Sequence, residues 1–328
     1  MSDRSGKSAG MSQPATLNLI LTYVGPLPNY FDLFLQSCAA NPTITWTVLT
    51  DQPRHASLPP NVRWAPATIA SLSQRIDEAF GIRPNFDWAY KICDFRPALA
   101  LIYPELVEGF DFWGHCDPDV MWGDLRKFYP LNVETTPPKV QIRGAFSVYR
   151  NDSVGNTLFQ LPHPTISFRD VFRNPKYCFF DEWHGLWKLI RRHDIPFLGD
   201  VAMAEIRIDR YDLRHHGGGK ANHSPQVFYW RHGRVLRAFW TEAGMQTDEY
   251  PYIHLQKRRF RPHAVPAGSD FAMLPGQIVP IDNATDLRTL ADLNRPRPLH
   301  DAWTLLGRPR RYLSGLKHFD RTYCRIKL

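Results

Sequence analysis

Apolar positions in the first 130 residues fall into two alternating kinds of run. LNLILTYVG, at 17–25, is almost continuously apolar and ends on a Gly-Pro turn signal, which predicts a strand buried on both faces. YFDLFLQSCAAN then repeats its apolar residues at helical spacing, and TITWTVLTD, at 43–51, is rich in β-branched residues and predicts a second strand. A short strand near NVRWAP, a helix over 69–80, a helical segment over about 88–103 and a strand in FDFWGHC continue the alternation. Pro97 should kink or restart its helix, because it lacks an N–H and crowds the preceding turn. The layout predicts an α/β fold with a central sheet flanked by helices, whose ligands gather at the carboxyl ends of the strands.

Beyond Tyr129 the pattern loosens. Short strand candidates (KVQIRGAFSVYR, QVFYWRHG, RVLRAFW, YPYIHLQK) mix with helical pieces around 167–172 and 182–192, and the glycine-rich RHHGGGKANHS predicts a loop. No internal repeat or linker interrupts the chain. The expected organisation is a polar, flexible tail over 1–16, one domain over 17–298, and a basic segment over 299–328.

Charge sharpens that last boundary. The net charge of +8 is unevenly placed, since seven Lys/Arg and one Asp lie between Arg308 and Leu328, which leaves +2 for the rest. Tyr312, Leu316, Phe319, Tyr323 and Ile326 recur at intervals of three and four, so an amphipathic basic helix is predicted, suited to an anionic membrane surface. A terminal helix packed on the domain fits the same pattern. The near-neutral body argues against nucleic acid as a partner. No apolar run reaches bilayer length, and the N-terminus lacks the apolar centre of a signal peptide, so a cytoplasmic location is expected, peripheral on the inner face of the membrane if the basic helix binds there. Five scattered cysteines suggest buried free thiols rather than disulfides or a zinc site.

The chemistry concentrates in FWGHCDPDVMWGDL. Asp117 precedes a proline, which keeps its backbone extended, so Asp117 and Asp119, two apart, can point the same way. Two carboxylates converging at a strand end call for a cation, and hard oxygen ligands suit Mg²⁺ or Mn²⁺. Asp-x-Asp arises about once by chance in a chain of this length, so its position is what gives it weight. A calcium loop would want Asp or Asn at Met121 and Gly at Trp122, and has neither. An aspartyl phosphatase shares the strand-then-Asp-x-Asp pattern. Alternatively, these Asp residues cap a short helix over 123–128.

YKICDFRP, FWGHCDPDVMWGDL, RGAFSVYRN, FFDEW and YIHLQKR, taken together and in this order, resemble bacterial GT-A-type glycosyltransferases, and more narrowly a poorly characterised family found with capsule and lipopolysaccharide synthesis enzymes. The resemblance runs from about Leu17 to Arg258. It implies a Rossmann-type nucleotide-diphospho-sugar transferase with a mixed central sheet, a nucleotide-sugar donor, and a glycan or glycolipid acceptor. Asp117 and Asp119 become the metal-binding pair and His254 a third ligand, though His254 also reads as a core histidine. Lys257 and Arg258 would neutralise the departing diphosphate, unless they belong to a solvated basic run. Lys91 becomes a phosphate ligand and Asp94 a sugar ligand, or the two form an ordinary intrahelical ion pair. Thr22, Tyr23 and Asp51, at strand ends, lie where a nucleoside would sit. Asp181 or Glu182 is the candidate base if configuration inverts; Asp181 equally suits a helix cap. A degenerate, non-catalytic carbohydrate-binding protein is the alternative from another class.

Overall fold

The computed structural model describes residues 14–199, 201–216, 220–262 and 264–297. The basic segment from 299 onward, most of the N-terminal tail, part of the glycine-rich loop and Cys324 lie outside the described residues. The other four cysteines are buried and free. Among the described residues no helix is long and apolar enough to cross a membrane.

The amino-terminal half follows the predicted alternation. Strand β1 (Leu17–Tyr23) leads to α1 (Phe31–Ala39), β2 (Thr45–Thr50), β3 (Val62–Pro66) and α2 (Ile69–Phe80). α2 starts on a capping box formed by Thr68 and Ser71 and ends on Gly81 in the left-handed conformation. The expected helix over 88–103 is instead a 3₁₀ segment, Ala89–Ala98, followed by the short α3 (Leu99–Ile102). Pro97 explains the change of winding, as it removes one backbone donor from the ladder. Strand β4 (Phe112–Cys116) then runs into Asp117-Pro118-Asp119, β5 (Val120–Trp122) and α4 (Leu125–Phe128). β6 (Lys139–Arg143) and β7 (Phe146–Arg150) form a hairpin, followed by α5 (Ser153–Thr157), α6 (Phe168–Arg173), α7 (Leu186–Arg192), β8 (Phe197–Leu198) and β9 (Ala204–Glu205).

β8, β6, β7, β4, β1, β2 and β3 make one seven-stranded mixed sheet, in that order. β1, β2, β3 and β4 are parallel, while β7 runs antiparallel to both β4 and β6. Gly114 is required in β4, because a Cβ there would stand 2.3 Å from the Ser147 carbonyl oxygen of β7. One face of the sheet packs Ile20, Leu49, Phe95, Trp113 and Tyr149 with α2 and the 3₁₀ segment; the other packs Leu19, Leu21, Trp46, Val48 and Phe146 with α1. From β1 the chain adds β2 and β3 on one side and β4 on the other. A crevice therefore opens at the carboxyl ends of β1 and β4, where the direction of winding reverses.

In the carboxyl-terminal half the expected strands β10 (Gln226–Arg231), β11 (Arg234–Thr241) and β13 (Tyr252–His254) appear, together with β12 (Gly244–Tyr250), β14 (Phe271–Leu274) and β15 (Gln277–Pro280), which the apolar pattern did not predict. β10, β11, β12, β14 and β15 form a second, antiparallel sheet, covered by α8 (Leu287–Leu293). β13 leaves it to join β5 and β9 in a three-stranded sheet. Tyr30 and Leu33 at the start of α1 pack with Phe228, Trp230 and Phe271, so the second sheet closes over the first.

Candidate metal centre between two cavities

Three strands bring the acidic and imidazole groups together. β13 pairs antiparallel with β5, placing His254 opposite Val120, and parallel with β9, placing His254 beside Glu205. Asp119 immediately precedes Val120, so its carboxylate faces the imidazole: Nε2 of His254 lies 3.3 Å from Asp119 Oδ1 and 4.0 Å from Asp117 Oδ2. One ligand atom each from Asp117, Asp119 and His254 lies within 4.8 Å of the other two. Ligands about 2.1 Å from a divalent ion stand roughly 3–4 Å from their neighbours, so the trio has the dimensions and the mixed oxygen and nitrogen donors of a Mn²⁺ or Mg²⁺ site. The helix-cap alternative does not hold for these two residues, because α4 is capped by Asp124, whose Oδ1 accepts the Lys127 amide.

The electrostatics favour positive charge at this point. Burial opposes the charged form of Asp119, yet His254 and the Lys257 amide bring its pKa down to about 2. Glu205 is likewise penalised by burial and brought to about 2 by His254. Burial also opposes protonation of His254, but Asp119 and Glu205 outweigh it and raise its pKa well above the usual value. The carboxylates thus stay ionised and hold positive charge between them. Glu205 Oε1 sits 2.8 Å from His254 Nδ1, leaving Nε2 for the ion, the arrangement by which an outer carboxylate orients a metal-ligating histidine. Gln256 fixes Glu205 in turn.

Gln256 and Lys257, at φ +50 and +58, turn the chain left-handed directly after His254. Such positions each cost on the order of 1 kcal/mol and mark sites where geometry is held by its surroundings. Here the turn aims the Lys257 N–H at Asp119 Oδ2, 2.5 Å away, and lays the ammonium 3.6 Å from the centre of the Tyr90 ring.

Two cavities meet at this centre. The larger, about 610 Å³, is lined by Thr22, Tyr23, Tyr30, Trp88, Asp119 and Phe260 among others. The smaller, about 340 Å³, is lined by Arg143, Gly144, Asp181, Glu182, Trp183 and His254 among others. Tyr90, Arg96, Asp117 and Lys257 line both, and the ligand trio straddles them, with Asp119 on the larger and His254 on the smaller. Thr22 Oγ1, buried in the larger cavity's wall, has no hydrogen-bond partner among the described residues.

Arg96 ties the two sides together. One terminal nitrogen donates to Asp117 Oδ1; the other donates to the Gly144 carbonyl at 3.1 Å and lies 3.4 Å from Asp181 Oδ2. The Gly144 amide donates to Glu182. A Cβ on Gly144 would lie 2.8 Å from Glu182 Oε1, so a larger residue here would displace that carboxylate. Burial raises the pKa of Asp181 well above the usual carboxylate range, with Glu182 adding to it, and burial raises that of Glu182 as well. Asp181 caps no helix: α7 begins at Gly185 without a side-chain cap, and Asp181 is bonded to Tyr177 and Arg96.

The remaining residues are not part of the trio. Lys91 and Asp94 are fully buried, 2.7 Å apart, and line neither cavity; their ordinary ion-pair reading is the one the structure has. Asp94 also accepts the Cys178 and Phe180 amides at 2.8 Å, pinning the loop that carries Asp181 and Glu182. Arg258 does line the larger cavity, and its guanidinium donates to the carbonyls of Arg207, Arg210, Tyr211 and Asp212. Asp51 is exposed, accepts the Gly25 amide at 2.9 Å and ties the ends of β1 and β2 without lining either cavity. Glu205 stands in none of the motifs read from the sequence, and Arg96 and Gly144 enter only as members of YKICDFRP and RGAFSVYRN; no local pattern marks the roles they take here.

A family model described as a family of unknown function (DUF6625) matches residues 19–282. The chain belongs to this family. No protein of curated function matches. Among solved structures, this family member is similar to the galactosyltransferase LgtC bound to donor and acceptor sugar analogues, at 10% identity and a TM-score of 0.26 over 42% of this chain and 58% of that one. It is also similar to the apo-form glycosyltransferase GlyE of Streptococcus pneumoniae TIGR4, at 10% identity and a TM-score of 0.31 over 57% of this chain and 45% of that one. The chain spans about half the length of these structures. Likeness at this level extends to neither the site nor its chemistry.

Proposed function

We propose that this chain is a metal-dependent glycosyltransferase of GT-A-like design, moving a sugar from a nucleotide-sugar donor to a cell-surface polysaccharide or glycolipid acceptor. The observation that carries the reading is the Asp117, Asp119 and His254 trio on the wall between two cavities, at the crevice where the sheet reverses direction. In this reading the nucleoside lies in the larger cavity, against Tyr23 and Trp88, with Thr22 Oγ1 free to meet a sugar hydroxyl. A Mn²⁺ or Mg²⁺ held by the trio supplies charge compensation for the diphosphate, and His254 favours Mn²⁺. Lys257 adds a positive charge on the same wall. Asp181 and Glu182 line the other side, where a carboxylate can take the proton of an attacking hydroxyl if configuration inverts. The phosphatase alternative needs Asp117 as a free nucleophile, and the Arg96 bond to its Oδ1 disfavours that role. For 299–328 we propose a peripheral contact with anionic membrane on the cytoplasmic side, testable by sedimentation with anionic vesicles.

The reading is tested by a thermal-shift screen of nucleotide sugars with and without Mn²⁺, followed by donor-hydrolysis assays. A ligand bound only by the native chain raises its melting temperature. Stabilisation by a nucleotide sugar that requires Mn²⁺ and vanishes in EDTA is expected; glycan binding indifferent to EDTA, with no nucleotide effect, would instead mark a non-catalytic carbohydrate-binding protein.

A further inference from the structure

The smaller cavity carries a feature that neither the metal trio nor the donor explains. Trp183 lines it with 39% of its surface exposed, although it is held on one side by Trp187 and lies under the Arg143 guanidinium, 4.9 Å from its ring centre. Ile208, 57% exposed, lines the same cavity. Two large apolar side chains left open beside the buried carboxylates Asp181 and Glu182 make a surface of mixed character, apolar in the middle and hydrogen-bonding at the edge. A pyranose has the matching character, with C–H faces that stack on an indole and equatorial hydroxyls that meet carboxylates. A third cavity, about 320 Å³, adjoins this one and shares Ile208, His216 and Gln256 with it, so the space continues past Ile208 away from the trio.

Resting on the glycosyltransferase reading, we propose that the smaller cavity receives the terminal pyranose of a neutral oligosaccharide acceptor, stacked on Trp183, and that the adjoining cavity takes the next sugar beyond Ile208. The four carboxylates on the lining, Asp117, Asp181, Glu182 and Glu205, are accompanied by Arg96, Arg143 and Lys257, so neither sign dominates and a sugar without charge suits the cavity. An acceptor of at least two residues follows from the continuity of the two cavities.

The test is binding of neutral hexose and N-acetylhexosamine oligosaccharides, screened on an array with Mn²⁺ present and then titrated by calorimetry. Wild-type protein should bind at least one di- or trisaccharide, and Trp183→Ala should weaken that binding by about tenfold or more. Trp183→Phe, which keeps a ring, should retain most of the affinity, whereas Trp183→Leu should not; this pair controls for folding. Ile208→Ala should weaken a disaccharide more than a monosaccharide. Absence of saccharide binding by the wild type, or equal affinity in the Phe and Leu variants, would overturn the inference. Mn²⁺-dependent stabilisation by a nucleotide sugar alongside either result would leave the glycosyltransferase reading standing, and its absence would remove that reading instead.

Discussion

Lys91 and Asp94 are closed on each other and on backbone groups, with neither side chain reaching a cavity, whereas two residues further along the same 3₁₀ segment Arg96 reaches onto the wall shared by two cavities. In the first cluster each charge has its counterpart. In the second, Asp117, Asp119 and Glu205 crowd His254, with Arg96 on Asp117 and the Lys257 amide on Asp119. Both clusters are buried and charged, yet only the second borders open cavities from which an ion can reach it. Burial and charge alone do not make a binding site; converging ligand atoms facing open space do.

The sharpest way to break the comparison is to remove charge from each cluster. Asp119→Asn should lower donor turnover by about a thousandfold or more, since loss of a bound ion forfeits several kcal/mol of charge stabilisation, while the chain still folds, as circular dichroism would show. Lys91→Met should do the reverse in kind. It leaves Asp94 buried without its partner and should cost about 3–5 kcal/mol of stability in denaturant titration, with Lys91→Met/Asp94→Asn costing less than the two single changes summed. Glu205→Gln tests the outer carboxylate and should weaken Mn²⁺ binding by about 10–100-fold with the fold intact.

The change that is smallest per unit step, a slope with pH, concerns a third buried charge. Lys139, in the seven-stranded sheet, donates to the Val140, Gln141 and Val148 carbonyls with no carboxylate partner among the described residues, and burial holds its pKa well below the usual value. Between that depressed pKa and the unfolded chain's ordinary one, the unfolded state binds a proton that the native state lacks. Stability should therefore fall as pH falls through this window, by up to about 1.4 kcal/mol per pH unit. Lys139→Met should lack that slope, as melting curves between pH 10 and 7 would record.

The amino-terminal elements were legible because each is a local pattern. β1, β2 and α2 declare themselves by run length, spacing and caps, and Asp117-Pro118-Asp119 by its place after a buried strand. The 88–103 segment misled because its apolar spacing suits a helix while Pro97 changes its winding. β12 was invisible for a different reason: GMQTDEY lies at the edge of its sheet and is largely exposed, so it shows no apolar alternation. The partnerships of Glu205 with His254 and of Lys257 with Asp119 span 49 and 138 residues and follow from strand register, which no short window contains.

The central claim is that Asp117, Asp119 and His254 hold a divalent ion, and calorimetric titration of Mn²⁺ into the metal-stripped chain tests it most directly. Saturable binding of one ion, abolished in Asp119→Asn, is expected. Failure of the wild type to bind Mn²⁺, or undiminished binding by that variant, would contradict it.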